Sequence, residues 1–234
     1  MSVHGNFLGI SHVRATVTMS YIPSLTLPAS VFNSPAISIL LPVTLGLGQG
    51  LLSQPGGSKP KSTSDTPNPD RKTFRKDVQR KYAALKQPPF RPPPWIFAPA
   101  WTTLYILMGY ASHSAWKNGM ASFNPRVVED TRRGATLYTI QLALNQLFMP
   151  LFFGLGRPVE ALIDIVALTG SVGYLSLIWN KVDKTATYCL VPYLAWLGFA
   201  TYLTAGTGYL NDWNFEKTET EAVVETAADE AKRQ

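Results

Sequence analysis

The residues KYAALKQPPFRPPPWIFAPAW (81–101) run directly into TTLYILMGYASHSAW (102–116), and this junction decides how the chain folds. Five prolines lie between positions 88 and 94, where they interrupt any helix, and no charged residue occurs between positions 92 and 116. Trp95 and Trp101 stand where the proline-rich segment meets the apolar run. This order predicts a loop that folds back over one end of an apolar helix bundle, with both tryptophans directed at its entrance.

The charged residues of this chain are segregated from its apolar residues. Three windows contain no Asp, Glu, Lys or Arg: 102–116, 134–156 and 185–211. A helix needs roughly 20 mostly apolar residues to cross a bilayer, and these windows meet or approach that length once 93–101 joins the first. A helix at the surface of a soluble core would show a polar face at a period of 3.6 residues, and these windows show none. The sequence therefore predicts an all-α integral membrane protein.

Five candidate spans give a bundle of five transmembrane helices, at about 30–53, 93–116, 134–153, 159–180 and 185–210. The membrane domain then covers residues 30–210 and includes a basic, low-complexity loop at 54–92. Residues 1–29 are expected to be a disordered N-terminal extension, and residues 211–234 a C-terminal tail. Gly46 and Gly50 form a GxxxG pattern, which indicates either close helix packing or a homodimer face.

The net charge of +6 reflects membrane topology and does not indicate a nucleic-acid partner. Lys and Arg are about twice as frequent on the side that holds loop 54–92 and the C-terminus as on the other side. The positive-inside rule therefore places loop 54–92 and the tail in the cytosol.

No pattern in the sequence predicts a catalytic residue, a metal site or a cofactor. The three histidines lie far apart, the single cysteine (Cys189) is inside the fifth span, and no phosphate-binding glycine loop is present. Gln141 and Asn145 share one helix face and are expected to make interhelix hydrogen bonds, as is His113. Asp164 is expected to cap or hydrogen-bond a neighbouring helix.

Aromatic residues are the most distinctive content of the spans. Trp95, Phe97, Trp101 and Tyr105 are expected near one face of the second span. Trp196 lies about eleven residues inside the fifth span, too deep for an interfacial tryptophan belt. It is either a core residue or the wall of a cavity for a flat apolar ligand, because an indole offers a broad π face.

Three ordered segments resemble the TspO/MBR family: PPPWIFAPAWTTLYILMGYAS (92–112), LYTIQLALNQLFMPLFFG (137–154) and VPYLAWLGFATYL (191–203). The resemblance implies a five-helix membrane bundle, often a homodimer, with a cavity under the first loop. It also implies a tetrapyrrole ligand such as a porphyrin, with sterols as an alternative. Carried over by motif, the ligand-binding residues are Trp95, Phe97, Ala98, Asn145, Trp196, Ala200 and Leu203.

The chain departs from the animal members of that family at several positions. Gln146, Phe148 and Glu160 stand where those members have tryptophans, which argues against high-affinity drug binding. The tail lacks a sterol-recognition pattern, which lowers the expectation of sterol binding. The basic insertion and the long ends indicate a eukaryotic, fungal member, expected in the mitochondrial outer membrane rather than the endoplasmic reticulum.

The resemblance implies a receptor or carrier for membrane-dissolved tetrapyrroles or sterols. Two alternatives remain at this point. One is an enzyme that degrades porphyrin with light and oxygen, which requires Trp95 close to Trp196. The other is a ligand-free scaffold that docks partners through its basic loop and acidic tail.

Overall fold

The computed structural model describes residues 20–52 and 85–215, and these residues fold into helices with no strand. A short 3-10 helix (Pro23–Leu25) precedes α1 (Ala29–Asn33) and α2 (Pro35–Leu52). The longer helices are α3 (Pro94–Met120), α4 (Pro125–Met149), α5 (Pro158–Trp179) and α6 (Lys184–Leu210). A π-helical turn (Pro150–Gly154) continues α4. The all-α prediction is confirmed for the described residues.

Local sequence fixes where most of these helices begin. Proline lacks the backbone N–H that the first helical turn leaves unpaired, so it is tolerated there. It is the first residue of α2, α3, α4 and α5, at Pro35, Pro94, Pro125 and Pro158. Asn124 caps α4 by accepting a hydrogen bond from the Arg126 N–H at 3.0 Å, and Asp183 caps α6 through the Thr185 N–H at 2.9 Å.

The last four predicted spans coincide with helix, whereas the first is divided at Ser34 into α1 and α2. The largest difference in where a helix begins lies at α4. The apolar window begins at residue 134, whereas α4 begins at Pro125. Its first turns are charged, and Arg133 pairs with Glu129 one turn earlier. Hydropathy therefore located only the apolar part of this helix. By length and composition, α5 and α6 are able to cross a membrane among the described residues, and the count of five crossing helices stays a prediction.

Aromatic side chains form the core at the end of the bundle away from the proline-rich segment. Tyr138 of α4 stacks on Trp179 of α5, with ring centroids 6.0 Å apart, and both side chains are buried. Gly134 allows this approach, since a Cβ at that position would lie 2.0 Å from Trp179 Nε1. Phe32 of α1 is fully buried and stacks on Trp116 of α3 at 5.1 Å. These contacts tie α1, α3, α4 and α5 into one core.

Residues 20–28 pack on α4, so the prediction of a disordered extension over 1–29 is wrong for this part. The Ile22 N–H donates to Thr136 Oγ1 at 3.2 Å, and the Leu27 N–H donates to Thr139 Oγ1 at 3.0 Å. The sequence pattern missed this because the partners are side-chain hydroxyls more than 100 residues away. Residues 1–19 lie outside the described part of the chain.

The proline-rich segment folds back over the C-terminal end of α6, as the sequence predicted. Asn211 holds Lys86 at two points: its Oδ1 accepts from the Lys86 N–H at 3.0 Å, and its Nδ2 donates to the Lys86 carbonyl at 2.9 Å. The Tyr202 hydroxyl donates to the Pro89 carbonyl at 3.1 Å. The segment is therefore attached to one helix by backbone contacts that do not depend on its own side chains.

A small apolar cluster closes the same end of the bundle. Leu85 of the loop and Phe215, just after α6, are buried with Phe152 and Ala161. The rings of Phe152 and Phe215 lie 5.3 Å apart at 77°. The first described residues of the loop and the last of the tail thus meet at one point. Residues 53–84 and 216–234, the rest of the predicted loop and tail, lie outside the described ranges.

The crossing of α2 and α3 gives a stability test at Gly109. A Cβ there would lie 2.4 Å from the Ser38 carbonyl oxygen and 2.6 Å from Ile39 Cα, both backbone atoms that cannot rotate away. We expect Gly109→Ala to lower the free energy of unfolding by about 1–3 kcal/mol, the usual cost of overpacking. The measurement is thermal unfolding in detergent, followed by circular dichroism.

Gly170→Ala is the matched control, because nothing lies within 4 Å of a Cβ at Gly170 in α5. Alanine has the higher helix propensity, so the control is expected to be neutral or stabilising by up to about 1 kcal/mol. Equal destabilisation by the two substitutions would contradict the close α2–α3 contact.

Candidate functional site

A cavity of about 420 Å³ opens among α2, α3, α4, α5 and α6, toward the end that the proline-rich segment covers. The N-terminal half of α3 and the C-terminal half of α6 supply most of its wall. The π-helical turn Pro150–Gly154 adds to it, and its widened backbone brings Phe152 and Phe153 to the lining. The volume lies within the range of ligand pockets, about 300–1,000 Å³.

Most of the predicted ligand-binding residues line this cavity. Six of the seven do so: Phe97, Ala98, Asn145, Trp196, Ala200 and Leu203. Trp95 does not; its side chain is 71% exposed in the first turn of α3. A helix turns by about 100° per residue, so Trp95 lies about 200° around α3 from Phe97. The expectation that Trp95 shares a face with Phe97 and Trp101 is therefore wrong in this structure.

The prediction that Phe97, Trp101 and Tyr105 share one face of α3 is confirmed, whereas Phe148 and Phe152 were not predicted to line the cavity. Phe97, Trp101 and Tyr105 follow one another at intervals of four, which places them on one stripe of α3. Phe148 and Phe152 repeat the same interval across the junction of α4 and the π-helical turn. Helix periodicity alone would therefore have indicated Phe148 and Phe152 as a pair on one face.

The aromatic lining consists of two clusters from different helices. In the first cluster Trp101 lies edge-on to Trp196, with centroids 6.2 Å apart at 83°, and Phe97 lies edge-on to the same indole at 5.8 Å. In the second, Phe148 and Phe152 stack at 5.7 Å and 16°. Both arrangements are ones that aromatic pairs prefer. They offer ring edges and faces from α3, α4 and α6 to a single space.

A chain of buried hydrogen bonds joins three helices below these rings. Tyr105 Oη of α3 donates to Asn145 Oδ1 of α4 at 3.0 Å, and Asn145 Nδ2 donates to Tyr193 Oη of α6 at 3.0 Å. Tyr193 Oη in turn donates to Gln141 Oε1, one helical turn from Asn145, at 3.2 Å. The prediction of interhelix bonding by Gln141 and Asn145 is confirmed. Asn145 therefore has a structural role even though it also lines the cavity.

Gly46 of the GxxxG pattern packs within the chain. A Cβ at Gly46 would lie 2.0 Å from Cε2 of Tyr105, so the glycine lets α2 rest directly on that ring. This contact supports the packing interpretation of Gly46 over the dimer interpretation. Tyr105 is thus held by α2 on one side and by Asn145 on the other.

Asp164 departs from its expected role. Its side chain is buried in α5, and neither carboxylate oxygen has a hydrogen-bond partner among the described residues. It therefore neither caps nor bonds a neighbouring helix there. His113 behaves as predicted, since its Nδ1 hydrogen-bonds the Phe32 carbonyl at 2.8 Å and joins α3 to α1 at the far end of the bundle.

The lining suits binding of a flat apolar molecule by shape and ring contact. Its polar contribution comes from Asn145, already hydrogen-bonded, and from a few threonines. Thr204, for example, donates back to the Ala200 carbonyl of its own helix at 2.8 Å. The lining residues that the structure describes include no ionisable acid–base pair of the kind that hydrolytic or proton-transfer catalysis uses.

Asn145→Leu tests the hydrogen-bond chain. The substitution leaves the hydroxyls of Tyr105 and Tyr193 without their shared partner in a buried site. We expect the free energy of unfolding to fall by about 2 kcal/mol, since each buried polar group left unpaired costs about 1–3 kcal/mol. Chemical unfolding in detergent measures the change. Asn180→Leu, the same change at the exposed end of α5, is the control, and an equal effect there would contradict the prediction.

Comparison with known proteins identifies the family. The model of the TspO/MBR family matches residues 68–210. The "Translocator protein homolog" of Schizosaccharomyces pombe is 49% identical over 138 residues, which is 58% of this chain and 79% of that protein. The "Translocator protein" of Bos taurus is 43% identical over 124 residues, 53% of this chain and 70% of the relative.

Similarity extends to prokaryotes. The "Tryptophan-rich protein TspO" of Archaeoglobus fulgidus is 42% identical over 134 residues, 57% of this chain and 82% of the relative. The higher identity to the yeast protein is consistent with the expected fungal origin. Since the family model covers more than half of the chain, including every helix that lines the cavity except α2, this protein belongs to the TspO/MBR family of membrane proteins.

Proposed function

We propose that this protein is a membrane receptor or carrier that binds a tetrapyrrole in the cavity between its helices. The observation that carries the proposal is the aromatic lining: rings from α3, α4, α6 and the π-helical turn surround one apolar space. A porphyrin is flat, broad and aromatic, so it gains most from such ring contacts. The translocator names of the relatives support a binding and transport role.

The proposal includes a bundle of five membrane-crossing helices formed by α2 to α6. The outward faces of α5 and α6 carry exposed apolar residues such as Ile163, Leu177 and Val191, which suit contact with lipid. With five crossings, the basic loop 54–92 and the C-terminal tail lie on the same side, and their Lys and Arg content favours the cytosol. The proposed location is the mitochondrial outer membrane.

A sterol is the alternative ligand for the same cavity. Its rings are flat and apolar too, but they have no π system to interact with Trp101, Trp196 and Phe148. The lining is dominated by aromatic side chains, which favours the tetrapyrrole. Competition between the two ligands distinguishes these alternatives, since both would occupy one site.

The porphyrin-degrading enzyme receives less support from the geometry. It requires Trp95 near Trp196, whereas Trp95 is exposed at the start of α3 and Trp196 lines the cavity. The alternative of a ligand-free scaffold assigns no ligand to the aromatic-lined cavity. Binding is therefore the function that these residues favour.

Trp196→Ala is expected to weaken binding of protoporphyrin IX by about tenfold or more, because loss of one aromatic wall removes about 1.4 kcal/mol of contact energy. The measurement is a titration of purified protein in the dark, followed by the porphyrin absorption band. Phe148→Ala, in the second aromatic cluster, is expected to act in the same direction.

Trp95→Ala is the matched control, since Trp95 lies outside the cavity and its removal is expected to change affinity by no more than about twofold. Saturable binding that is lost with Trp95→Ala but kept with Trp196→Ala would contradict the site. Cholesterol that displaces the porphyrin at stoichiometric levels would favour the sterol instead.

A further inference from the structure

A second apolar space lies on the outside of the bundle, between α3 and α6. This outer groove has a volume of about 640 Å³. The two helices run antiparallel, and their outward-facing residues Pro99, Thr103, Pro192 and Ala195 are exposed. In the proposed five-helix bundle this face contacts the hydrocarbon of the bilayer, so the groove is open to molecules dissolved in the membrane.

Trp196 separates the outer groove from the cavity of about 420 Å³ described above, which we call the inner cavity. It is the one residue that lines both spaces among those described. Its ring contacts Phe97 and Trp101 on the cavity side and Phe199 on the groove side, with centroids 5.8, 6.2 and 5.9 Å away. Passage between the two spaces at this point requires movement of this indole.

In the described part of the chain, no hydrogen bond fixes the Trp196 ring in this position. Its indole Nε1 is buried and has no hydrogen-bond partner among the described residues. A buried indole N–H normally finds a partner, and leaving it unpaired costs about 1–3 kcal/mol. Among the described residues the ring is therefore held by apolar packing and by three aromatic contacts, two edge-on and one tilted. A position that pairs the indole N–H would offset part of the free energy lost when these contacts break.

The two helices beside the groove each contain a proline in their interior. Pro99 in α3 and Pro192 in α6 cannot donate the backbone hydrogen bond of a regular helix, so the carbonyls of Trp95 and Tyr188 lose their helical partners. Prolines at such positions permit helix bending. Both prolines line the groove, so any bending they allow changes its width.

The end of the bundle offers a less direct route. Hydrogen bonds from Asn211 and Tyr202 hold residues 86–89 over the end of α6, and the cluster of Leu85, Phe152 and Phe215 packs beside them. A ligand that arrived along the bundle axis would approach past these contacts. A ligand that arrived from the bilayer through the outer groove would have to displace the Trp196 ring.

We propose that the outer groove is an access site for the flat, membrane-dissolved ligand, and that Trp196 is the gate through which the ligand passes between the bilayer and the inner cavity. This inference rests on the proposed function, because it takes the tetrapyrrole of the inner cavity as the occupant of the groove. Trp196 then has two roles: it contacts the bound ligand, and it controls passage of the ligand between the bilayer and the inner cavity.

The test uses substitutions that fill the outer groove and leave the lining of the inner cavity unchanged. Ala100 of α3 and Ala195 of α6 line the groove and not the cavity, so Ala100→Phe and Ala195→Phe obstruct it from opposite walls. The probe is protoporphyrin IX with protein in lipid nanodiscs in the dark, followed by stopped-flow fluorescence. Rates of association and dissociation are both expected to fall by about tenfold, with the equilibrium constant unchanged within about twofold, because a barrier on the path leaves both end states alone.

Ala167→Phe is the control, since Ala167 is exposed on α5 and lines neither space. Wild-type rates in either folded groove variant, verified by circular dichroism, would overturn the gate while leaving the binding site intact. Equal slowing by Ala167→Phe would also overturn the gate, since it points to a general effect of the bilayer. A loss of affinity in the groove variants without slower rates would overturn it too, since it points to lipid bound in the groove. Absence of saturable binding in the wild type would instead overturn the proposed function itself.

Discussion

The hydrogen-bond chain from Tyr105 through Asn145 to Tyr193 is the constraint on which the site depends. Apolar side chains pack about as well against lipid as against another helix, so apolar contact alone does not fix how helices slide past one another. Buried polar groups in a membrane bundle are costly unless they are hydrogen-bonded, and the partners in this chain lie on three different helices. The chain therefore sets α3, α4 and α6 at one relative depth.

That depth determines where the rings of the cavity meet. Trp101 is four residues before Tyr105, Phe148 three residues after Asn145, and Trp196 three residues after Tyr193. Because α3 is antiparallel to α6 and also to α4, all three offsets point toward the same end of the bundle, about one helical turn above the hydrogen bonds. Each helix thus presents an aromatic side chain to the cavity at the same level.

The segments at that end of the bundle show how the chain is folded back over the cavity. Asp212 and Trp213 have φ values of 52° and 56°, in the left-handed region that non-glycine residues seldom adopt. They reverse the chain after α6, so that Phe215 returns to Phe152. Gly208 accommodates this turn, since a Cβ there would lie 2.3 Å from the Trp213 ring. Strain in two residues is offset by burial of the closing cluster.

The sequence predicted the helices well because charge segregation and helix-starting prolines are local signals. Asn145 and Trp196 were indicated both by their depth inside the spans and by family motifs, but the placement of Trp95 was wrong, because residues close along a helix do not always share one face. The packing of residues 20–28 depends on partners far away in the chain, which no local pattern reports. The same holds for Asp164, whose carboxylate has no hydrogen-bond partner among the described residues.

The most direct measurement of the central claim is a crystal structure grown from a lipid phase with protoporphyrin IX, in the dark. Density for the ring between Trp101, Trp196 and Phe148, with the Tyr105–Asn145–Tyr193 hydrogen bonds intact beneath it, is the predicted result. A porphyrin bound on the outer surface or beside Trp95, with the cavity empty or filled by lipid, would contradict it.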